Sequence, residues 1–372
     1  MSDVRSSPFA PVDHGSRVAA VRAWLHDSPA DALLVTDLVE VRWLTGFGGS
    51  NGWVVVRGDD VTLGTDGRYD ERARAETAGS GAEVVAERQR GALHQRMLDA
   101  LAGASTVAVD AARVSHAQWS QLAAEIPVRP VPSPIGRMRA VKDAAEIERM
   151  AAAAAAADAA LTDVQPILFA TVDTPVTEAD IRTELEYRMR LHGAEDRSYD
   201  TIVASGPDHA ARPHHEVGRR TIVAGDTVII DVGALVDGYH SDMTRSYVIG
   251  DPTAEQRDVY ALVEAAHRAG VDALRAGIGA ADLDAVCRGV FDEAGLADWY
   301  LHGTGHGVGL EIHEPPFHSP VSDEVIEAGN VVTVEPGLYR VGFGGFRIED
   351  LLVVAEDGAS SLTHTPPHPF PG

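Results

Sequence analysis

The sequence predicts an α+β fold built from two similar halves, preceded by a smaller α/β domain. Three observations support this prediction. Short apolar runs alternate with helical stretches in the first third of the chain, a proline-rich segment follows, and the remaining sequence repeats itself internally. The length of 372 residues accommodates two or three domains, and a hydrophobic content of 45% is enough for a sizeable core.

The first third has the pattern of an α/β domain. Apolar runs bounded by turn residues predict strands at Ala32–Thr36, Trp53–Val56 and Thr106–Val109. Helical spacing of apolar residues predicts helices over Ser16–His26 and Arg88–Leu101. Because the two kinds of element alternate, we expect helices to cover a sheet in this domain.

A proline-rich segment separates the two domains. Pro127–Pro134 contains four prolines, which exclude a helix or a central strand, so we interpret it as an interdomain linker. The predicted domains are residues 1–133 and 134–372. A long helix over Lys142–Leu161 follows, and its alanine stretch Ala151–Ala157 predicts close packing against a sheet.

The second domain contains an internal repeat. Three pairs of segments match at offsets of 102 to 107 residues: Ala179–Ile181 with Ala281–Leu283, Ala224–Gly233 with Ala328–Gly337, and Gly238–Asp242 with Gly345–Glu349. Each half is predicted to run helix, helix, strand, strand. Two such halves related by a pseudo-twofold axis would bring equivalent positions together.

Four acidic residues occupy matched positions beside apolar strands. Asp231 pairs with Glu335 in the repeat, and Asp242 pairs with Glu349. The dipeptide Asp237-Gly238 predicts a tight hairpin, which would place Asp231 opposite Thr244 and Asp242 diagonally on the same face. Two carboxylates placed in this way can share one cation.

These carboxylates predict a metal site. Four buried acids cannot all ionise without compensation, and two divalent cations would supply it. The glycine-rich segment Leu301–Pro315 adds His302, His306 and His313, and its glycines allow close approach to a crowded site. One imidazole among four carboxylates suits Mn²⁺ or Co²⁺ better than structural zinc. The lone cysteine, Cys287, excludes a zinc site built from cysteines.

The charge balance excludes several partners. With 31 basic and 56 acidic residues the formal charge is −25, which repels nucleic-acid phosphates and anionic lipid headgroups. The sequence has no stretch of 18 apolar residues that could span a membrane. Residues 1–15 lack the apolar core of a signal peptide. We therefore expect a soluble cytoplasmic protein.

A family resemblance follows from the order and spacing of these motifs. The second domain resembles the dinuclear metallopeptidases of the pita-bread fold, within the branch of Xaa-Pro dipeptidases (prolidases) and Xaa-Pro aminopeptidases. The motifs that carry this resemblance are Asp231, Asp242–Arg245, His302–Gly309, Val334–Tyr339 and Arg347–Asp350. Trp43–Gly52 and Gly64–Tyr69 resemble the creatinase-type N-terminal domain. The resemblance covers essentially the whole chain.

The resemblance implies a role for each matched residue. Asp231 would hold one metal, His306 and Glu335 the other, and Asp242 and Glu349 would bridge both. The implied catalytic and substrate-contacting residues are His214, His313 and Glu335, supported by His302, Tyr339 and Arg347. His215 is an alternative to His214. The implied cofactor is a pair of divalent ions, Mn²⁺ in preference to Co²⁺ or Zn²⁺. A homodimer is also implied, in which one subunit's N-terminal domain borders the other's active site.

The resemblance predicts a metal-dependent peptidase. It would hydrolyse the bond before proline, in Xaa-Pro dipeptides, through a hydroxide that bridges the two metals. The first alternative is an Xaa-Pro aminopeptidase that releases the N-terminal residue of longer peptides. A creatine-hydrolysing enzyme or a non-catalytic binding protein on the same fold are remote alternatives, because both would lack the complete ligand set.

Overall fold

The computed structural model describes residues 8–89 and 91–369. The contacts between residues divide the chain into two compact units, Met1–Arg139 and Ala140–Gly372. The predicted domain boundary between residues 133 and 134 lies slightly earlier in the chain and stays a prediction. Residues 1–7 lie outside the described part, so the expectation for residues 1–15 is not tested there. No helix of the described residues is long and apolar enough to cross a membrane.

The first unit is a mixed six-stranded sheet with helices. Its strands run in the order β4-β3-β2-β1-β5-β6, with β1 antiparallel to β2 and parallel to β5. The strands are β1 Ala32–Val35, β2 Gly52–Arg57, β3 Asp60–Asp66, β4 Glu83–Glu87, β5 Val107–Asp110 and β6 Val128–Val131. The helices are α1 His14–Asp27, α2 Leu38–Thr45, α3 Asp70–Glu76, α4 Ala92–Ala100, α5 His116–Glu125 and α6 Pro134–Ala140. The alternation predicted from sequence is confirmed. The helix predicted over Arg88–Leu101 begins only at Ala92, after Gly91 in a left-handed conformation (φ 94°), and Arg90 lies outside the described residues.

The interpretation of Pro127–Pro134 as a linker was wrong. Val128–Val131 forms strand β6, which pairs with β5 in parallel and places Pro130 beside Val109. A proline is tolerated there because β6 is an edge strand, so the missing N–H faces away from the ladder. Pro134 then begins α6, a position where its missing N–H costs no helical hydrogen bond.

The second unit consists of two helix-and-sheet halves. In the first half the helices are α7 Ala144–Phe169, α8 Glu178–Leu191 and α9 Gly206–His209. The strands are β7 Asp196–Arg197, β8 Ile202–Ser205, β9 Thr227–Asp231, β10 Ala234–Val236, β11 Tyr239–His240 and β12 Thr244–Val248. Strands β12, β9 and β8 form one sheet, and β11, β10 and β7 form another.

The second half repeats this plan. Its helices are α10 Ala254–Ala273 and α11 Ala280–Glu293. Its strands are β13 Gly305–Gly307, β14 Glu314–His318, β15 Val331–Val334, β16 Gly337–Arg340, β17 Gly344–Arg347, β18 Asp350–Ala355 and β19 Gly358–Ser361. The pair β15–β18 corresponds to β9–β12, and the hairpin β16–β17 corresponds to β10–β11. The helix-helix-strand-strand order predicted for each half is confirmed.

Each half has its own hydrophobic core. In the first half Ala156 and Ala157 of α7 are buried with Val228 and Ile230 of β9, as the alanine stretch predicted. The helix α7 continues past the predicted end at Leu161, because the buried face continues through Leu168. In the second half α10 and α11 are buried against β15 and β18. The strands β9 and β15, which position the acidic residues, are therefore fixed by packing against these two cores.

Candidate metal centre

The first pair of acidic residues is positioned by β9, β12 and the hairpin between them. Asp237 and Gly238 both have positive φ, 45° and 73°, as a type I′ turn requires. Val236 pairs with Tyr239 across this turn. The predicted register is confirmed, because Asp231 at the end of β9 lies opposite Thr244.

The second pair comes from the equivalent strands of the other half. Glu335 directly follows β15 and Glu349 directly precedes β18. Glu349 donates its backbone N–H to the carbonyl of Thr244 (3.1 Å), and the two residues form an isolated bridge. The two halves therefore meet where their acidic residues lie, as the repeat predicted.

His306 joins the four carboxylates from β13. Its Nε2 lies 3.5 Å from Asp242 Oδ2 and 3.5 Å from Glu335 Oε1. Asp242, His306 and Glu349 each offer a ligand atom within 4.8 Å of the others, and all three are buried. His306 Nδ1 lies 3.0 Å from the Gly307 carbonyl, so this nitrogen is assigned as the donor and Nε2 keeps its lone pair towards the carboxylates. Burial lowers the pKa of His306 to about 3, which keeps the ring neutral as a metal ligand must be.

Arg347 at the end of β17 ties several of these groups together. Its Nη2 donates to Asp231 Oδ2 (2.5 Å), and its Nε lies 4.0 Å from Glu335 Oε2. Its Nη1 donates to the hydroxyl of Tyr339 (2.9 Å), which lies 2.9 Å from His302 Nε2. Because the Nδ1 of His302 faces the Gly303 carbonyl at 2.7 Å, Tyr339 is assigned as the donor to Nε2. Burial lowers the pKa of His302 to about 4, so its ring is neutral. The hydrogen bonds therefore run from the charged guanidinium of Arg347 through Tyr339 to the neutral imidazole of His302.

The carboxylates carry more negative charge than Arg347 can balance. Burial raises the pKa of Asp242, Glu335 and Glu349 well above the usual range, and each is raised further by a neighbouring carboxylate. Four acids and one guanidinium in a buried cluster leave an excess of negative charge. Divalent cations held by carboxylate oxygens and one imidazole would remove this excess, so the donor set fits a metal centre.

A cavity of about 480 Å³ opens onto these groups. The predicted residues that line it are Asp231, Asp242, His306, Glu335, Glu349, His302, His313, His214 and Arg347. His313 contacts His306 edge to face, with ring centroids 4.4 Å apart. Tyr339 is connected to the cavity through His302 and Arg347. His215 turns towards Glu178, 3.6 Å away, so of the two neighbouring histidines it is His214 that faces the cavity.

Some residues of the site were not among the predicted site residues. Tyr199 donates to Asp242 Oδ1 (2.5 Å) and contacts Asp231 Oδ1, but it lies outside the matched repeat segments. Thr244 donates to Glu349 Oε2 (2.6 Å), and the register with Asp231 could have identified it. The apolar walls of the cavity include Ile202 and Phe317, which read as ordinary strand residues.

Comparisons with known proteins agree with this geometry. The profile of metallopeptidase family M24 matches residues 148–356, and that of the creatinase/prolidase N-terminal domain matches residues 17–141. The chain is 32% identical to an Xaa-Pro dipeptidase of Pyrococcus furiosus, over 94% of this chain and 98% of the relative.

Two solved structures share the whole architecture. An Xaa-Pro dipeptidase from Bacillus anthracis superposes with a TM-score of 0.91 at 32% identity, covering 96% of this chain and 99% of that one. An X-Pro aminopeptidase from Thermotoga maritima superposes with a TM-score of 0.84 at 31% identity, covering 93% and 98%. The pita-bread fold predicted from the motifs is therefore confirmed, and the chain belongs to metallopeptidase family M24, with a creatinase/prolidase N-terminal domain ahead of its catalytic domain.

Proposed function

We propose that this enzyme hydrolyses the peptide bond that precedes proline, with Xaa-Pro dipeptides as its substrates. The observation that carries the proposal is the buried cluster of four carboxylates and His306 at the floor of a cavity of about 480 Å³. The full-length similarity to Xaa-Pro dipeptidases of Pyrococcus furiosus and Bacillus anthracis supports the substrate class.

The metal ligands in this proposal are the five residues of the cluster. Asp231, Asp242, His306, Glu335 and Glu349 would together hold two divalent ions. An oxygen-rich set with one imidazole favours Mn²⁺, with Co²⁺ or Zn²⁺ as substitutes. Two such ions would lower the pKa of a water molecule and polarise the scissile carbonyl.

The side chains around the ligands then move protons and stabilise charge. Glu335 accepts the proton of the attacking water at a carboxylate oxygen. His313, which lies against the His306 ring, donates a hydrogen bond to the oxyanion. Glu335 then returns the proton taken from the water to the departing proline nitrogen, directly or through His313. Arg347 fixes Asp231 through its 2.5 Å hydrogen bond, and the Tyr339–His302 pair holds the guanidinium in place.

Substrate selection depends on the walls of the cavity. The nitrogen of an Xaa-Pro bond carries no hydrogen, so the pocket must recognise the ring by shape. Ile202, Ile312 and Phe317 offer apolar surface for that ring. His214 lies among the same lining residues and is positioned to contact the substrate.

An Xaa-Pro aminopeptidase is the second candidate. It is favoured by the similarity to the Thermotoga maritima enzyme and by a neighbouring groove that shares Asp200 and His214 with the cavity. Such a groove could accommodate residues beyond proline. The assay that decides compares an Xaa-Pro dipeptide with an Xaa-Pro-Yaa tripeptide, each incubated with Mn²⁺-loaded protein. Cleavage of the dipeptide alone supports the proposal, and preference for the tripeptide favours the aminopeptidase.

We also propose that the enzyme is a cytoplasmic homodimer, in line with the family resemblance. Light scattering on the Mn²⁺-loaded protein measures the oligomeric state, and twice the 39.4 kDa chain mass is expected. A fully active monomer would contradict the dimer.

A further inference from the structure

A second cluster of metal-ligating side chains lies outside the five-residue centre. Glu178, the first residue of α8, meets His209 at the end of α9 and His215 in the loop that follows. One ligand atom from each residue lies within 4.8 Å of the other two. The two imidazole rings stack with centroids 3.9 Å apart and an interplanar angle of 29°.

The nitrogen atoms of both rings are directed at the same carboxylate. His209 Nδ1 lies 3.0 Å from Glu178 Oε1 and 3.1 Å from Oε2. His215 Nε2 lies 3.6 Å from Oε2 and is buried without a hydrogen-bond partner. Ligand atoms around a tetrahedral zinc ion, with bonds of about 2.1 Å, are separated by about 3.4 Å. The two carboxylate–imidazole distances are close to this value, and the two imidazole nitrogens lie within 4.8 Å of each other.

Glu178 is a buried carboxylate that faces two imidazoles. The side chain is completely buried, and among the described residues its ion-pair partners are His209 and His215, with no Lys or Arg. The nearby guanidinium of Arg220 is engaged with both oxygens of Asp226, at 2.5 and 2.9 Å. Hydrogen bonds from the backbone and hydroxyl of Ser205 hold Glu178 Oε1 (2.8 and 2.7 Å), and the Gly218 N–H donates to Oε2 (3.3 Å), the oxygen that also faces both imidazoles.

We propose that Glu178, His209 and His215 bind one Zn²⁺ ion, or a similar late first-row dication, at a site separate from the five-residue centre. Two imidazoles and one carboxylate form a ligand set that zinc favours, with a fourth position left for water. The side chain of His209 is 30% exposed, and His215 lines the groove beside the substrate cavity, so an ion can enter from solvent. Binding through Nδ1 would require the proton that His209 now donates to Glu178 to move to Nε2 of the same ring.

The position of this site gives it a structural consequence. The five residues between His209 and His215 include Pro213, whose carbonyl accepts a hydrogen bond from Arg347 Nη1 (3.0 Å), and His214, which lines the substrate cavity. An ion fixed at both ends of this segment would limit its movement. Zinc at this site thus orders the segment that carries His214.

The test measures bound zinc in full-length, tag-free protein in which the five-residue centre is disabled by Asp242→Asn. We expect this variant to retain one Zn²⁺ per chain after equilibrium dialysis, measured by elemental analysis. Adding His209→Asn or His215→Asn should each remove that ion. His192→Asn is the matched control, because His192 also pairs with a carboxylate, that of Asp163 (2.9 Å), but without a second histidine. Adding His192→Asn should leave the bound Zn²⁺ in place.

Spectroscopy and folding controls keep the test decisive. Co²⁺ added to the Asp242→Asn protein should produce visible d–d absorption bands that both added histidine variants abolish. Circular dichroism of each variant establishes that it is folded, and His215→Asn is the milder change because its Nε2 makes no hydrogen bond. Zinc content that is equal in the Asp242→Asn protein and its two added histidine variants would overturn the proposal. It would leave the peptidase function untouched, because that function is assayed in the unmodified enzyme with Mn²⁺.

Discussion

Replacing Asp242 by Asn should remove metal binding at the five-residue centre without unfolding the protein. Asp242 is 5% exposed, accepts a hydrogen bond from Tyr199 (2.5 Å) and lies 3.5 Å from His306 Nε2. An asparagine of nearly the same shape keeps the acceptor for Tyr199 and removes a buried charge beside Asp231. We therefore expect the free energy of unfolding of the metal-depleted protein to change by no more than about 1 kcal/mol.

The same substitution should abolish activity. Loss of a partner that merely orients a ligand typically costs 10- to 100-fold in metal affinity, so loss of a bridging ligand should cost more. We expect kcat/KM for an Xaa-Pro dipeptide to fall by at least about 10³-fold, equivalent to about 4 kcal/mol of transition-state stabilisation. The assay is steady-state hydrolysis at saturating Mn²⁺, with bound metal measured in parallel.

Asp163→Asn is the matched control, because Asp163 is a half-exposed acid paired with Arg188 and His192. It should retain parental activity and metal content. An Asp242→Asn protein with activity within threefold of the parent would refute the assignment of Asp242 as a bridging ligand.

Three further predictions follow from the same contacts. Tyr199→Phe removes hydrogen bonds to charged groups, which contribute about 1.5–3 kcal/mol each. Scanning calorimetry should show a larger fall in melting temperature for the metal-depleted protein than for the Mn²⁺-loaded protein. Equal falls in melting temperature would contradict this prediction. The raised pKa values of Asp242, Glu335 and Glu349 mean that the folded metal-depleted protein binds more protons than the unfolded chain above pH 4.5. Its stability in urea should therefore fall as pH rises through the range in which these carboxyl groups ionise in the folded protein, and Mn²⁺ should reduce that slope; a stability that rises with pH in that range would refute this cause. His214→Asn should raise the KM for Xaa-Pro about tenfold with a smaller change in kcat, and an unchanged KM would remove His214 from the substrate contacts.

Local rules were sufficient for the arrangement of the acidic residues. The Asp237-Gly238 turn sets the register of the hairpin, and that register alone places Asp231 opposite Thr244. The repeat then transfers the arrangement to Glu335 and Glu349, which lie at the equivalent ends of β15 and β18. Since both effects act over a few residues, the sequence displays them directly.

Other features depend on contacts that no local rule specifies. Tyr199 reaches Asp231 across 32 residues, and nothing around it in the sequence marks that contact. The segment Pro127–Pro134 has the composition of a linker, but β5 offers a free edge that Val128–Val131 can pair with. The prolines of this segment are incompatible with a central strand. They are compatible with an edge strand, which forms because Val128–Val131 pairs with β5.

The dependence of peptide hydrolysis on bound metal tests the central claim most directly. The measurement is the rate of proline release from an Xaa-Pro dipeptide by metal-depleted protein, as Mn²⁺ is added back and the bound ions per chain are counted. We expect no turnover without metal and full turnover when two ions are bound at the cluster of Asp231, Asp242, His306, Glu335 and Glu349. Full turnover by protein that contains no metal would contradict the account.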